Sequence, residues 1–205
     1  MIPGSEEWFA WFAARCGFVT ASRIADVMAT IKSGEAASRR NYRAQIVAER
    51  MAGISENTYT SPAMQWGIDH EQQAADAYAF LHDVEPVECG FILHPAIEWT
   101  GATPDRLIGE DGLVEIKCPN TATHIDTLLT GNVDNRYVLQ MLWQMECTER
   151  EWCDFVSFDP RMPPRHQLFC KRFHRNDERV AEIRTEVVKF LGEVEEVINR
   201  LENRE

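Results

Sequence analysis

The 205-residue sequence predicts a mixed α/β (α+β) fold in which a central sheet is flanked by helices. Three observations lead to this prediction. Helical patterns fill the first 81 residues, and short β-rich segments follow one another between residues 89 and 118. A further helical pattern then precedes two more strand patterns and a long closing helix. The length suits one compact domain, so residues 1–205 are expected to form a single domain.

Capping serines and helix-breaking residues predict the N-terminal helices. Ser5, Ser38 and Ser61 are each predicted to cap a helix, and Pro62 suits a first helical position. Gly53 is expected to end the helix that Ser38 begins. The predicted helices cover residues 5–15, 22–28, 38–52 and 61–81.

The strands are predicted from short runs of β-branched and aromatic residues between turn signals. Pro95 separates the first two strands, the turn at 109–112 joins the next two, and Pro119 ends the fourth. Strands are predicted at residues 89–94, 98–103, 106–108, 113–118, 151–158 and 166–173, and helices at 124–129, at 135–147 and after Asn176.

The net charge of −12 argues, taken alone, against a nucleic-acid partner, because affinity for nucleic acid comes mainly from neutralising phosphates. Two basic clusters offset this total locally. For either cluster by itself, a solvated face is the favoured interpretation. One cluster lies between Pro160 and Asn176, and the other comprises Arg39, Arg40 and Arg43.

The sequence also indicates the cellular compartment in which the protein is expected. No stretch of 18 apolar residues predicts a membrane span, and no signal-peptide segment opens the chain. None of the six cysteines belongs to a C-x-x-C pair, so no zinc or redox motif is visible. We therefore expect a cytoplasmic protein with no membrane partner.

The strand around Glu115 carries the first candidate site. Because side chains alternate across a strand, Glu115 and Lys117 point to one face, while Val114 and Ile116 point to the other and can pack. An isolated E-x-K pattern of this kind is usually a weak surface pair. Asp105 changes this interpretation, because the turn at 109–112 folds it back toward Glu115. Two close carboxylates repel each other unless a cation or a proton lies between them, and oxygen ligands suit magnesium.

A third carboxylate belongs to the helix that starts at Pro62. The helical period places Glu71 on one stripe with Gly67, Ala74, Tyr78 and Leu81, so Glu71 is expected to face inward. A lone buried charge is costly and needs a partner. That partner is either the water shell of a metal ion or an arginine.

Together these residues resemble the PD-(D/E)xK nuclease superfamily, and more closely the lambda-type alkaline exonucleases, also called the YqaJ-like viral recombinase family. P-D…E-x-K alone is weakly specific, whereas five blocks in the same order are strongly specific. The blocks lie at residues 11–22, at 64–71, at 101–105 with 115–119, at 137–140 and at 158–162.

The resemblance implies a role for each matching residue. Asp105 and Glu115 would hold magnesium, for which manganese is an alternative, and Ile116 would lend its backbone carbonyl to the metal. Lys117 would position or activate the attacking water, and Glu71 would support the metal through water. The implied contacts to DNA phosphate are Arg15, Thr20, Ser22, Thr103 and Gln140.

Three of these positions keep another interpretation or depart from the family pattern. Arg15 also suits a helix C-terminus and Ser22 a helix N-cap, and a helix N-terminus readily holds phosphate. The family helix often reads Gln-x-Gln, but here Gln140 is followed by Leu142. Gln144 lies on the same helix face as Gln140 and is a candidate replacement.

The resemblance implies 5′→3′ digestion of one strand of linear double-stranded DNA, with release of 5′-mononucleotides and a 3′ single-stranded overhang. It also implies a ring-shaped homotrimer around DNA ends, a single-strand annealing protein as partner, and a bacterium or phage-infected host. Two alternatives are a structure-specific or restriction-type endonuclease and a non-catalytic DNA-end clamp. The scattered cysteines argue against a fourth possibility, a nuclease with an iron–sulfur cluster.

Overall fold

The computed structural model describes residues 5–55 and 61–204, apart from the side chain of Glu7. The helices are α1 (Glu6–Arg15), α2 (Ile24–Val27), α3 (Ala37–Ala52), α4 (Pro62–His82), α5 (Thr121–Thr130), α6 (Asn135–Thr148) and α7 (Asp177–Glu202). The strands are β1 (Val19–Thr20), β2 (Pro86–Val87), β3 (Ile92–Leu93), β4 (Thr100–Ala102), β5 (Arg106–Ile108), β6 (Gly112–Lys117), β7 (Trp152–Phe158) and β8 (Leu168–His174). Short 3-10 helices cover Ala21–Arg23 and Pro164–His166.

The strands form a mixed five-stranded sheet in the order β2-β5-β6-β7-β8 and a small three-stranded sheet in the order β1-β4-β3. In the larger sheet only β6 and β7 are parallel, and α5 and α6 make the crossover between them. The predicted mixed α/β class is confirmed. The sequence patterns at 89–94 and 98–103 were expected in the central sheet, but they shorten to β3 and β4. These two strands pair with each other, and β4 also pairs with β1, in the small sheet.

Alternate side chains of β6 enter two separate hydrophobic cores. Val114 and Ile116 pack with Ala74 and Tyr78 of α4, whereas Leu113 packs in the larger core with residues of α6 and α7. Glu115 shares its side of the strand with Leu113, as the period of two requires. Because helices cover both faces, the charged residues of β6 lie inside the molecule rather than on a solvated face.

Most predicted helix starts match the structure. The hydroxyls of Ser5 and Ser61 accept hydrogen bonds from backbone N–H groups of the first helical turn, and Pro62 is the first residue of α4. The predicted cap at Ser38 is wrong, because α3 begins at Ala37 and Ala36 takes the N-cap position without a side-chain bond. Gly53 ends α3 in the left-handed conformation with φ of 66°.

Most of the basic residues in the two clusters pair with acids. Arg39 and Arg43 both contact Glu193 at 2.9 Å, and Arg39 is buried. The expectation of a solvated face is therefore wrong for Arg39 and Arg43, because pairing with α7 removes them from the free surface. In the second cluster the pairs are Arg161 with Asp159, Arg172 with Asp154, and Arg175 with Glu146. Over the ranges 5–55 and 61–204, no helix has both the length and the apolar character that crossing a bilayer requires.

Candidate active site

The hairpin of β5 and β6 brings Asp105 beside the strand that carries Glu115. Arg106 pairs with Val114 in the hairpin register, so the preceding Asp105 reaches the next part of β6. One carboxylate oxygen of Asp105, Oδ2, accepts a hydrogen bond of 2.6 Å from the backbone N–H of Ile116. Asp105 therefore contacts the strand that carries Glu115 and Lys117, as the sequence predicted.

Glu115 is fully buried and receives donors on both of its oxygens. The amide nitrogen of Gln140 donates to Oε1 at 2.7 Å, and that of Gln144 donates to Oε2 at 2.6 Å. The ammonium of Lys117 also pairs with Oε1. The carboxylate is therefore fixed from two directions, by its own strand and by α6.

The pKa values of Asp105 and Lys117 depend on burial and on the charges around them. Burial and the like charge of Glu115 raise the pKa of Asp105 well above its ordinary value, although Lys117 opposes the shift. Burial disfavours the ammonium of Lys117, but the carboxylates of Glu115 and Asp105 outweigh it and raise the pKa of Lys117. Lys117 is therefore protonated at neutral pH in this arrangement.

The donor set fits a hard divalent cation in part. Asp105 and Glu115 supply two carboxylates whose mutual repulsion a cation would relieve, and such cations accept water at their remaining positions. Within residues 5–55 and 61–204, no group of three or more His, Cys, Asp or Glu side chains converges as a ligand set. The two carboxylates therefore require oxygen atoms from the backbone or from water to complete a coordination shell.

Glu71 has the arginine partner that the sequence left open. Its Oε1 accepts a bond of 2.9 Å from Nη1 of Arg106, a buried residue of β5. Arg106 also contacts Gln72 at 2.9 Å and Glu88 at 3.3 Å. Glu71 is 37% exposed at its side chain, so its carboxylate is less buried than the helical stripe predicted.

The guanidinium of Arg15, at the end of α1, lies close to the same carboxylates. Its Nη1 donates to the hydroxyl of Thr103 at 2.7 Å, and its Cζ lies 4.0 Å from the ring centroid of Trp11. Burial lowers the pKa of Arg15 to about 10, and the charges of Asp105 and Glu115 are among those that oppose this shift. Arg15 therefore remains a cation at neutral pH.

Arg15 has spare hydrogen-bonding capacity. In the part of the chain that the structure describes, the bond to Thr103 is the single hydrogen bond from its guanidinium, and it makes no ion pair within 4 Å. A guanidinium carries five N–H donors, so most of them are available to a ligand. The helix-end interpretation does not account for the side chain, because it extends to Thr103 across the fold rather than to the carbonyls of α1.

The small sheet places the segment of Thr20 and Ser22 beside the strand that leads to Thr103. β1 runs parallel to β4, so Thr20 lies opposite Gly101, two residues before Thr103. The hydroxyls of Thr20 and Ser22 are 3.3 Å apart, and Thr20 is buried whereas Ser22 is exposed. Ser22 lies inside the 3-10 helix and caps neither that helix nor α2, so the N-cap interpretation is wrong.

Two contacts of the site were not predicted. Tyr137, one turn before Gln140 on α6, places its ring centroid 5.2 Å from the ammonium of Lys117. Its spacing from Gln140 and Gln144 was the signal available in the sequence, because residues three and four apart share a helix face. Arg106 carried no such signal, because its pairing with Glu71 depends on how α4 packs against β5.

A mixed α/β fold that carries a Pro-Asp, Glu-x-Lys site on a central strand defines a nuclease of the PD-(D/E)xK class. The YqaJ-like viral recombinase domain model matches residues 10–151. The chain belongs to the YqaJ-like viral recombinase family.

Solved structures agree with this assignment. An alkaline exonuclease, LHK-Exo from Laribacter hongkongensis, is 49% identical, covers 94% of this chain and 95% of its own, and superposes with a TM-score of 0.88. The same exonuclease in complex with dAMP matches equally well. A phage-related exonuclease from Haemophilus somnus 129PT, 14% identical over 90% of this chain and 96% of its own, shares the fold with a TM-score of 0.74. No curated protein sequence matches the chain.

Proposed function

We propose that this protein is a magnesium-dependent 5′→3′ exonuclease, in a single nuclease domain, that degrades one strand of linear double-stranded DNA. It releases 5′-mononucleotides and leaves a 3′ single-stranded overhang for recombination by strand annealing. One observation carries the proposal. A half-buried arginine with unused donors, Arg15, stands next to the carboxylate pair of Asp105 and Glu115. An anion-binding group beside a cation-binding group is what a phosphodiester at a strand end requires.

Asp105 and Glu115 hold the cation in this proposal, together with the backbone carbonyl of Ile116. Arg106 donates a hydrogen bond to Oε1 of Glu71. The second carboxylate oxygen of Glu71 supports the cation by binding one of its water ligands. When bound, magnesium or manganese supplies Lewis-acid polarisation of the phosphoryl oxygens and a more acidic water.

Lys117 acts as a cation next to the reacting phosphate. Because its pKa is raised, its ammonium donates hydrogen bonds and stabilises charge that develops on a phosphoryl oxygen. It also orients the attacking water, which needs a fixed donor on one side. Its pairing with Glu115 and its position near the ring of Tyr137 restrict where the ammonium lies.

The terminal phosphate is held by Arg15, Thr20, Ser22, Thr103 and Gln140. Thr103 orients the guanidinium of Arg15, and Gln140 already donates to Glu115, so Gln140 links the phosphate contacts to the metal ligands. A 5′-phosphate is the group that distinguishes a 5′ end from the interior of a strand. Recognition of that group accounts for the proposed polarity.

The proposed assembly is a homotrimeric ring around the DNA end, acting with a single-strand annealing protein. The assignment to the viral recombinase family supports both parts. A ring also reconciles DNA binding with the net charge of −12, because acidic exterior surfaces do not contact the DNA that a central channel encloses. Light scattering coupled to gel filtration measures the subunit number directly.

A digestion assay with three matched substrates tests the activity. These are linear duplex with 5′-phosphate ends, the same duplex with 5′-hydroxyl ends, and closed circular duplex, each with magnesium. Release of mononucleotides from the phosphorylated linear DNA, with the circle intact and Asp105→Asn inactive, is the expected result. Cleavage of the circle would assign the protein to the endonucleases instead. Binding of ends without any cleavage would identify a DNA-end clamp.

A further inference from the structure

The environment of Gln144 differs from that of the other groups around Glu115. Gln144 is fully buried on α6, one helical turn beyond Gln140, and its amide nitrogen donates to Oε2 of Glu115 at 2.6 Å. The amide oxygen of Gln144 is buried and has no hydrogen-bond partner in the described residues. One half of this amide is therefore tightly bound, and the other half is unsatisfied.

The unsatisfied oxygen shows what fixes the orientation of the amide. Rotating the amide by half a turn would exchange its oxygen and nitrogen, and would place two oxygens against each other at Glu115. The observed orientation therefore satisfies Glu115 and leaves the amide oxygen unpaired. A buried acceptor without a partner is unfavourable, and an apolar side chain of the same length would avoid it. Packing alone does not explain a glutamine at this position.

A buried glutamate on α6, the helix that carries Gln144, provides a contrast with Glu115. Glu146, two residues after Gln144, pairs with the guanidinium groups of Arg175 and Arg184. Those cations cancel its charge and lower its pKa, although burial acts in the opposite direction. α6 contributes only neutral amides to Glu115. Such donors fix the orientation of a carboxylate without cancelling its charge, and among the described residues Lys117 of β6 is the one cation that forms an ion pair with Glu115.

We propose that Gln144 is a positioning residue for metal binding, which fixes the plane of the Glu115 carboxylate through Oε2. Gln140 and Lys117 hold Oε1, so without Gln144 the carboxylate can turn about its terminal torsion. This inference rests on the proposed role of Glu115 as a metal ligand. Position 142, two residues before Gln144, is a buried leucine and supplies no donor to Glu115.

Calorimetric titration of the DNA-free protein with Mn²⁺ tests the proposal without reference to activity. Gln144→Met keeps the length of the side chain and removes the donor. Groups that orient metal ligands typically contribute about 10- to 100-fold to metal affinity, so we expect the dissociation constant to rise by that factor. Gln144→Asn keeps the amide but withdraws it by one methylene group. It should also weaken binding, and it serves as the test if the methionine variant folds poorly.

Gln167→Met is the matched control. The Gln167 amide donates to the carbonyls of Pro160 and Met162 at 3.0 and 2.9 Å, away from Glu115. It should lower the thermal midpoint and leave Mn²⁺ affinity unchanged. In turnover assays, the Gln144 variants should need more Mg²⁺ for half-maximal rate and recover at high Mg²⁺, with an unchanged KM for DNA. A variant that is only destabilised, such as Gln167→Met, should keep the wild-type Mg²⁺ dependence under conditions in which it is fully folded.

The outcomes separate two failures. If the wild-type protein binds Mn²⁺ and Glu115→Ala abolishes binding, but Gln144→Met and Gln144→Asn bind as tightly as wild type, Gln144 is a structural residue and the inference is wrong. If Glu115→Ala binds Mn²⁺ as well as the wild type, the metal assignment in the proposed function fails, and the role of Gln144 fails with it.

Discussion

Replacement of Arg15 by methionine gives the sharpest test of how the protein recognises a DNA end. Arg15 is half-buried, carries its charge at neutral pH, and bonds to Thr103 at 2.7 Å while most of its donors stay free. Methionine keeps much of the contact with Trp11 and removes every donor. The change therefore removes the proposed phosphate contact with limited loss of packing.

The expected magnitude follows from the kind of bond that is lost. A hydrogen bond to a charged group contributes about 1.5–3 kcal/mol, which corresponds to about 10- to 150-fold in kcat/KM. That loss should appear on 5′-phosphorylated ends and be much smaller on 5′-hydroxyl ends. Removing a cation near Asp105 and Glu115 also alters the metal site, but this effect is common to both substrates and cancels in their ratio.

The assay compares kcat/KM on the two linear duplexes at saturating Mg²⁺, for the wild type and for Arg15→Met. Arg40→Met is the control, because Arg40 is exposed and its replacement removes the same charge elsewhere. The control should leave the ratio of the two substrates unchanged. Equal losses on phosphorylated and hydroxyl ends in Arg15→Met would refute the phosphate contact.

Three further predictions concern the reaction and the stability of the fold. Lys117→Met should slow single-turnover cleavage by roughly 100-fold, because it removes a positioned cation, and an unchanged rate would exclude this role. Hydrogen bonds from Arg161 outweigh the effect of burial and lower the pKa of Asp159 to about 2. Relative to Asp159→Asn, the wild type should therefore keep its extra stability above about pH 4 and lose about 2 kcal/mol of it as pH falls toward 2, measured by urea unfolding. Gly101→Ala should cost about 1–3 kcal/mol, because its Cβ would lie 2.6 Å from the carbonyl oxygen of Ile92, whereas Gly67→Ala has open space and should cost nothing.

The centre of the site was predictable because it depends on local rules. Glu115 and Lys117 share a face through the period of a strand, and the tight turn at residues 109–111 fixes Asp105 next to them. Gln144 was reachable in the same way, because a spacing of four places it on the face of Gln140. Each of these inferences needed only the geometry of one element or one hairpin.

Contacts between distant elements were not predictable from such rules. Arg106 is an ordinary strand residue in the sequence, and its bond to Glu71 joins residues 35 positions apart. The cluster of Arg39 and Arg43 was misjudged for the same reason, because their shared partner Glu193 comes from α7. The division into two sheets likewise depends on β1, a strand of two residues with no periodic signal.

The parallel pairing of β1 with β4 has a consequence for biosynthesis. The hydroxyl of Thr100 donates to the carbonyl of Val19 across 81 positions of the chain. A ribosome that adds about 5–20 residues per second needs roughly 4–16 s to cover that distance. The segment that carries Arg15 and Thr20 therefore leaves the ribosome well before the strand that orders it, and α6 with its two glutamines follows later still. A nascent chain can therefore assemble the phosphate-binding segment with the carboxylate site only late in translation.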